Sequence, residues 1–174
     1  MFKSLRAFSP IAIAFAIAAL IFGLTARQIF SGIQEVPEVR FATLKGELVN
    51  MSDLRGRVVL VNFWATSCAP CIKEMPQLVA TYGAYKERGF ETVAVAMDYD
   101  PPNLVKDFAE RFKLPFIVAF DPRGEIARRF GGVRAVPASY LIDRRGRILM
   151  TQSGEIDFAK LKRLLEAALR EPAS

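Results

Sequence analysis

The two cysteines of the chain, Cys68 and Cys71, stand three positions apart at the end of the run Val58-Val59-Leu60-Val61-Asn62-Phe63-Trp64-Ala65-Thr66-Ser67, and the sequence holds no other thiol. This spacing suits a reversible dithiol/disulfide reaction. A β-branched apolar run of strand length ends at Trp64 and a short polar turn follows. Pro70 then falls where a helix would begin, a place where its missing N–H does no harm. Cys68 is thereby expected just before a helix N-terminus, where free N–H groups and the positive end of the helix dipole favour the thiolate, the nucleophilic form. The step to Cys71 lets the second sulfur turn back towards the first. Lying one turn further in, Cys71 is expected to be more buried and to resolve a mixed disulfide rather than start one.

Other uses of two cysteines fit less well. A structural zinc site needs about four N or S ligands, and the chain has two cysteines and no histidine. Covalent haem attachment requires histidine directly after the second cysteine, where Ile72 stands. A purely structural bridge usually closes a longer loop, where it stabilises more. A peroxide-reducing site would want threonine three residues before the attacking cysteine and a proline upstream, but Ala65 occupies that position. Two thiolates could hold Cu(I) in a non-enzymatic binding module, yet no methionine-rich or histidine motif lies nearby. Thiol-disulfide exchange is the leading chemistry, as reductant or as oxidant.

The elements that must position the pair can be read outward from it. With 174 residues and 52% hydrophobic content, the chain can bury one core. Alternating runs from Phe41 to Asp53, broken at Gly46, predict a hairpin, and Gly56 a turn into the strand that leads to the cysteines. Pro70 to Arg88 predicts a helix with Pro76 inside it, and Thr92 to Met97 a second buried strand, parallel to the first because a helix separates them. A helix over Pro101 to Phe112 is predicted from Leu104, Val105, Phe108, Ala109 and Phe112. A strand over Phe116 to Phe120 and a short helix over Glu125 to Phe130 follow. Ser139 to Asp143 and Arg147 to Thr151 form an antiparallel pair, and Asp157 caps a last helix to Arg170 with Phe158, Leu161, Leu165 and Ala168 inward. These apolar stripes are expected in the core.

Charge and the N-terminus bound the setting. The formal charge of +6 includes Lys3, Arg6 and Arg27 around an N-terminal apolar run; without these three, 21 basic residues face 18 acidic ones, and nucleic acid is not needed as a partner. Arg123, Arg128, Arg129, Arg134, Arg144, Arg145 and Arg147 lack interleaved aromatics and read as a solvated surface. The basic leader through Arg6 and the apolar stretch Ile11 to Leu24 read as a signal peptide or signal anchor, and the scarcity of small residues at a cleavage site favours the uncleaved anchor. Residues 1–26 are expected to span the inner membrane once, 27–40 to form a tether, and 41–174 to form one domain on the periplasmic or extracytoplasmic side.

The residues Val61-Asn62-Phe63-Trp64-Ala65 before Cys68-Ala69-Pro70-Cys71, Pro76 five residues later, and Val136-Pro137 followed by Leu141-Ile142-Asp143 and Gly146 resemble the thioredoxin superfamily. Within it they resemble the membrane-anchored TlpA/ResA-like thiol-disulfide oxidoreductases. The resemblance covers about Phe41 to Leu169. It implies an α/β thioredoxin-like fold: a central mixed β-sheet flanked by helices, with an N-terminal β-hairpin and a central insertion over about Asp98 to Phe120. It implies that Pro137 is a cis-proline against the dithiol, although trans is the default for an ordinary Val-Pro bond. It further implies that Val136 offers backbone groups to an extended substrate, that Glu74 is an acidic residue near the active site, and that Trp64 packs beside the dithiol and helps bind substrate. Asn62 stands where thioredoxins keep a buried aspartate as proton acceptor, so that role is either vacant or passes to Glu74. Ser67 replaces a tryptophan common just before the first cysteine.

The activity implied is protein-disulfide reduction, with no cofactor beyond a redox-active Cys68–Cys71 disulfide and no metal. The implied partners are a disulfide-bearing client, such as apocytochrome c or a copper-site protein of oxidase assembly, and a CcdA/DsbD-type transmembrane thiol donor.

Overall fold

A computed structural model of the chain describes residues 34–172 together with Ile17, Ala19 and Leu20. The chain divides into two compact units, Met1–Gln34 and Glu35–Ser174. The expected anchor over residues 1–26 and the first part of the expected tether lie outside the described residues, those three positions apart. Among the described residues, no helix is long and apolar enough to cross a membrane.

The second unit is built on a seven-stranded mixed sheet. Its strands are β1 (Arg40–Thr43), β2 (Leu48–Asn50), β3 (Val58–Trp64), β4 (Phe90–Ala96), β5 (Ile117–Phe120), β6 (Ala138–Ile142) and β7 (Ile148–Ser153), in the order β2-β1-β5-β4-β3-β6-β7. Four helices accompany them: α1 (Ala69–Tyr85), α2 (Pro102–Arg111), α3 (Glu125–Arg129) and α4 (Phe158–Arg170). β3 pairs in parallel with β4, from Val58 opposite Phe90 to Trp64 opposite Ala96, with α1 as the crossover. β4 also pairs in parallel with β5, whereas β1 with β2, β1 with β5, β3 with β6 and β6 with β7 are antiparallel. β3 and β4 are buried along their whole length because both carry neighbours in the sheet and cover on both faces.

The two-residue period of β3 sorts its side chains. Val59, Val61 and Phe63 join Val36, Val39, Ile126, Phe130 and Tyr140 in one core layer. Val58, Leu60 and Trp64 face the other layer, filled from α1, α2 and α4 by Met75, Leu78, Val105, Leu161 and Leu165. Asn62 falls between Leu60 and Trp64 on this helix-covered side and is fully buried.

Hairpin, parallel pairing and final helix match the sequence reading, and Asp157 Oδ1 caps α4 by accepting the Lys160 N–H at 2.9 Å. Apart from shifts of one to three residues at other element ends, four differences stand out. Residues 35–40 are not a free tether: Val36 and Val39 are buried, the Val36 N–H reaches the Gly146 carbonyl at 2.8 Å, and the Met51 N–H reaches that of Val39 at 2.9 Å. The two valines supply apolar area to the first core layer, so this segment packs with the domain. β4 starts two residues early, at Phe90, because Gly89 at φ +93 turns the chain directly into the sheet. Leu104 and Phe112, expected inward, are 46% and 51% exposed. α2 meets the sheet through Val105, Phe108 and Ala109 alone, so residues in its first and last turns reach solvent.

The fourth difference concerns the arginines. Arg144 is half-buried and donates to the carbonyls of Gly56 at 2.9 Å, Arg88 at 3.2 Å and Leu169 at 3.5 Å. Arg147 is ion-paired with Asp143 and Glu171. These two belong to the fold's framework, whereas Arg123, Arg128, Arg129, Arg134 and Arg145 are exposed.

Candidate active site

β3 ends at Trp64, and the chain turns through Ala65, Thr66 and Ser67 into α1, with Cys68 as its N-cap. The N-cap has extended backbone angles (φ −91°, ψ 99°), so its side chain is free to accept from the first turn of the helix. It does so: the Cys71 N–H donates to Cys68 Sγ at 3.3 Å. Pro70 occupies the first turn, where its lack of an N–H leaves no orphan. Cys68 and Cys71 form a disulfide, with their Cα atoms 5.3 Å apart. Cys68 is half-buried while Cys71 is fully buried. An amide donor and an open side converge on Cys68, the conditions that favour and expose a thiolate.

The Val136–Pro137 peptide is cis, as the resemblance implies. It lies at the entrance to β6 and brings the Val136 carbonyl oxygen within 3.5 Å of Cys68 Sγ. The side chain of Val136 is half-buried and Pro137 is buried. Trp64 is fully buried, its indole packed against Phe108 with ring centroids 5.1 Å apart, and its Nε1 has no partner among the described residues. Closed off from solvent, Trp64 supports the dithiol layer and offers no surface to a substrate in this state.

Glu74 lies on the inner face of α1 with Cys71, Met75 and Leu78, and it is 4% exposed. Its Oε1 accepts from Asn62 Nδ2 at 3.1 Å and its Oε2 from the Ile156 N–H at 3.1 Å. Burial pushes its carboxyl above the usual carboxylate range, the two hydrogen bonds pull it back, and the charge of Glu155 adds to the rise. Asn62 Nδ2 also donates to Ser139 Oγ at 3.0 Å, across the β3–β6 pair in which these residues are opposite partners. The remaining amide oxygen, Oδ1, is buried without a partner among the described residues. With the amide turned over, Oδ1 would instead accept from a protonated Glu74 and from the Ser139 hydroxyl, so one side chain can serve both charge states.

Thus the structure gathers Cys68, Cys71, Val136 and Pro137 at one end of β3, with Trp64 and Glu74 in the layer behind. Ser139 and Asp100 escaped the sequence reading. Ser139 had a signal, a lone polar residue inside an apolar strand. Asp100 had none, since the group it binds, Thr66, is 34 positions away. Cavities of about 510 and 400 Å³ lie elsewhere and include none of the dithiol residues.

The chain is similar to known proteins in sequence and in fold. The redoxin family model matches residues 33–165. The thiol-disulfide oxidoreductase ResA of Bacillus thuringiensis subsp. konkukian is 37% identical over 134 residues, which is 76% of this chain and 76% of that protein. Among solved structures, one described as a thioredoxin from Neisseria meningitidis has a TM-score of 0.73 and 38% identity, covering 78% of this chain and 90% of that one. A thiol:disulfide interchange protein from Chlorobium tepidum has a TM-score of 0.72 and 27% identity, covering 79% and 97%. A disulfide at the N-cap of a helix, on a thioredoxin-like sheet and in a sequence this close to ResA, has one explanation: the chain belongs to the redoxin family, among its ResA-like thiol-disulfide oxidoreductases.

Proposed function

We propose that the protein is a membrane-tethered reductase of disulfides in extracytoplasmic proteins, and that Cys68 attacks while Cys71 resolves. The asymmetry of the pair carries this reading: the half-exposed Cys68 sulfur takes an amide N–H at a helix N-cap, and Cys71 is sealed in the core. The Cys68 thiolate displaces one sulfur of the client disulfide as a thiolate and forms a mixed disulfide. Cys71 then gives up its proton, attacks Cys68 Sγ and releases the second client sulfur. Two electrons pass to the client and the Cys68–Cys71 bond closes.

In this scheme Glu74, one helical turn beyond Cys71, takes the Cys71 proton, the part left open by an amide at Asn62. Val136, whose carbonyl adjoins Cys68, offers its backbone to an extended client segment, with Pro137 holding that edge. A half-exposed Cys68 that lines neither of the two cavities suits a protein client. The N-terminal apolar run supports tethering to the inner membrane, with the domain on the periplasmic or extracytoplasmic side. Regeneration then requires a transmembrane thiol donor of the CcdA/DsbD type, and clients of the cytochrome c maturation or oxidase copper-site kind fit a reductase so placed.

The deciding measurement is the reduction potential of the Cys68/Cys71 couple against glutathione. A value nearer the roughly −270 mV of thioredoxin than the roughly −120 mV of DsbA is expected, and one above about −180 mV overturns the reductase in favour of an oxidant. Cys71→Ser should trap a mixed disulfide through Cys68; an adduct mapping elsewhere reverses the roles.

A further inference from the structure

Two residues ahead of Cys68, Thr66 directs both its backbone N–H and its hydroxyl at a single side chain. Asp100 Oδ2 accepts the N–H at 2.6 Å and Asp100 Oδ1 accepts the hydroxyl at 2.5 Å. Asp100 is 2% exposed, although Tyr99 and Pro101 on either side of it face solvent. The loop between β4 and α2 therefore turns one carboxylate inward. Such a group is costly to bury without partners, and among the described residues no lysine or arginine forms an ion pair with it. The Thr66 fork, two charge-assisted hydrogen bonds, is what holds it there.

The turn so held has few other supports. The β3–β4 ladder ends at the pair Trp64–Ala96, with one more bond from the Met97 N–H to the Trp64 carbonyl at 3.1 Å. Beyond it, Cys68 N–H reaches the Ala65 carbonyl at 3.1 Å. Asp100 takes over where the ladder stops. Phe108 grips Trp64 on the other side of Ala65, so the segment that the resemblance marks as an insertion clamps the approach to the dithiol at two points.

We propose that Asp100 is a positioning residue for thiol-disulfide exchange: by holding Thr66 it fixes the turn that presents Cys68. Its charge has a second effect, because a carboxylate without an ionic partner near the N-cap disfavours the thiolate. That favours the disulfide over the dithiol and makes the couple more reducing, the direction a reductase needs. The inference rests on Cys68 being the attacking sulfur.

The test compares the full chain with Asp100→Asn, Asp100→Ala and Thr66→Val in two assays, insulin reduction and equilibration with glutathione. Asp100→Ala loses the clamp, and its reduction rate is expected to fall about tenfold, since small misplacements of reacting groups carry large rate penalties. Asp100→Asn keeps an acceptor for Thr66 and recovers most of the rate, yet without the charge its equilibrium moves about tenfold towards the dithiol, which is about 30 mV. Thr66→Val slows exchange but keeps the charge and the wild-type equilibrium. An Asp100→Asn chain with wild-type equilibrium, or a folded Asp100→Ala chain with wild-type rate, overturns the proposal; if Asp100→Ala does not fold, the Asp100→Asn equilibrium decides. Rapid alkylation of the reduced wild-type chain separates the two readings. A first label on Cys71 overturns the assignment of the attacking sulfur, whereas a label on Cys68 with unchanged variants overturns the role of Asp100 alone.

Discussion

Asn62→Asp would place a carboxylate oxygen where the Asn62 amide nitrogen now stands, 3.1 Å from Glu74 Oε1 and 3.0 Å from Ser139 Oγ. Two unit charges about 4 Å apart at an effective dielectric constant of about 20 repel by about 4 kcal/mol. That exceeds the roughly 1 kcal/mol net worth of the hydrogen bond replaced, so the native pair would retain one proton and share it as O–H···O. The Ser139 hydroxyl can turn to donate to the new carboxylate, which leaves the acid form close to wild type. The unfolded chain gives up that proton at ordinary carboxylate pH, so the native state binds more protons than the unfolded one and stability falls as pH rises. Urea denaturation of the oxidised variant and wild type between pH 5 and 8.5 should show a deficit that is small at the acid end and grows towards about 4 kcal/mol at the alkaline end. A deficit that does not change with pH would refute the buried contact between residues 62 and 74.

Glu74→Gln removes a carboxyl that burial holds above its ordinary value of 4.5. In the wild type, the stability linked to this group is fully present below that value and lost as pH rises through the raised folded value, so the variant should gain on wild type across that window. The same variant should slow exchange and alter its pH profile, and an unchanged profile removes Glu74 from proton transfer. Phe108→Ala strips a half-buried ring from Trp64 and from Phe112, whose ring centroid is 4.3 Å away, and should cost about 2 kcal/mol in urea. Because Trp64 is the only tryptophan, a red shift of its emission reports the opening directly, and an unmoved spectrum contradicts the packing. Asp143→Ala deprives the Arg145 and Arg147 N–H groups of their acceptor and Arg147 of one of its two ion pairs, for an expected loss of about 2–3 kcal/mol with the reduction potential unchanged.

Local signals made the heart of the site readable in the sequence. The apolar run to Trp64, the polar turn and Pro70 all sit within a few residues of Cys68, and each constrains the backbone by itself, so the N-cap geometry followed from neighbours in the chain. The parallel pairing of β3 and β4 followed once a helix was placed between them, whereas the mixed sheet was implied by the family resemblance and its strand order was not read. The unread parts depend on contacts made across the fold. Val36 and Val39 look like any two valines beside a proline until the β1 side of the core exists to receive them. Arg144 differs in no local way from Arg145, yet its side chain turns inward to three carbonyls while its neighbour faces solvent. Asp100 and Thr66 meet only because β3 and β4 run parallel and end together.

The guanidinium of Arg144 ties the stretch before β3, the stretch before β4 and the end of α4 together at the pole of the sheet away from Cys68. Local opening is therefore graded along a single strand. Amides near Gly56, Val58 and Gly89 should exchange with solvent only on global unfolding, while those from Ala65 to Cys68, beyond the last rung of the ladder, depend for their protection on the bonds from Thr66 to Asp100. One end of β3 thus stays knitted independently of the dithiol while the other hangs on a single carboxylate, so thiol-disulfide exchange at Cys68 need not loosen the domain that carries it.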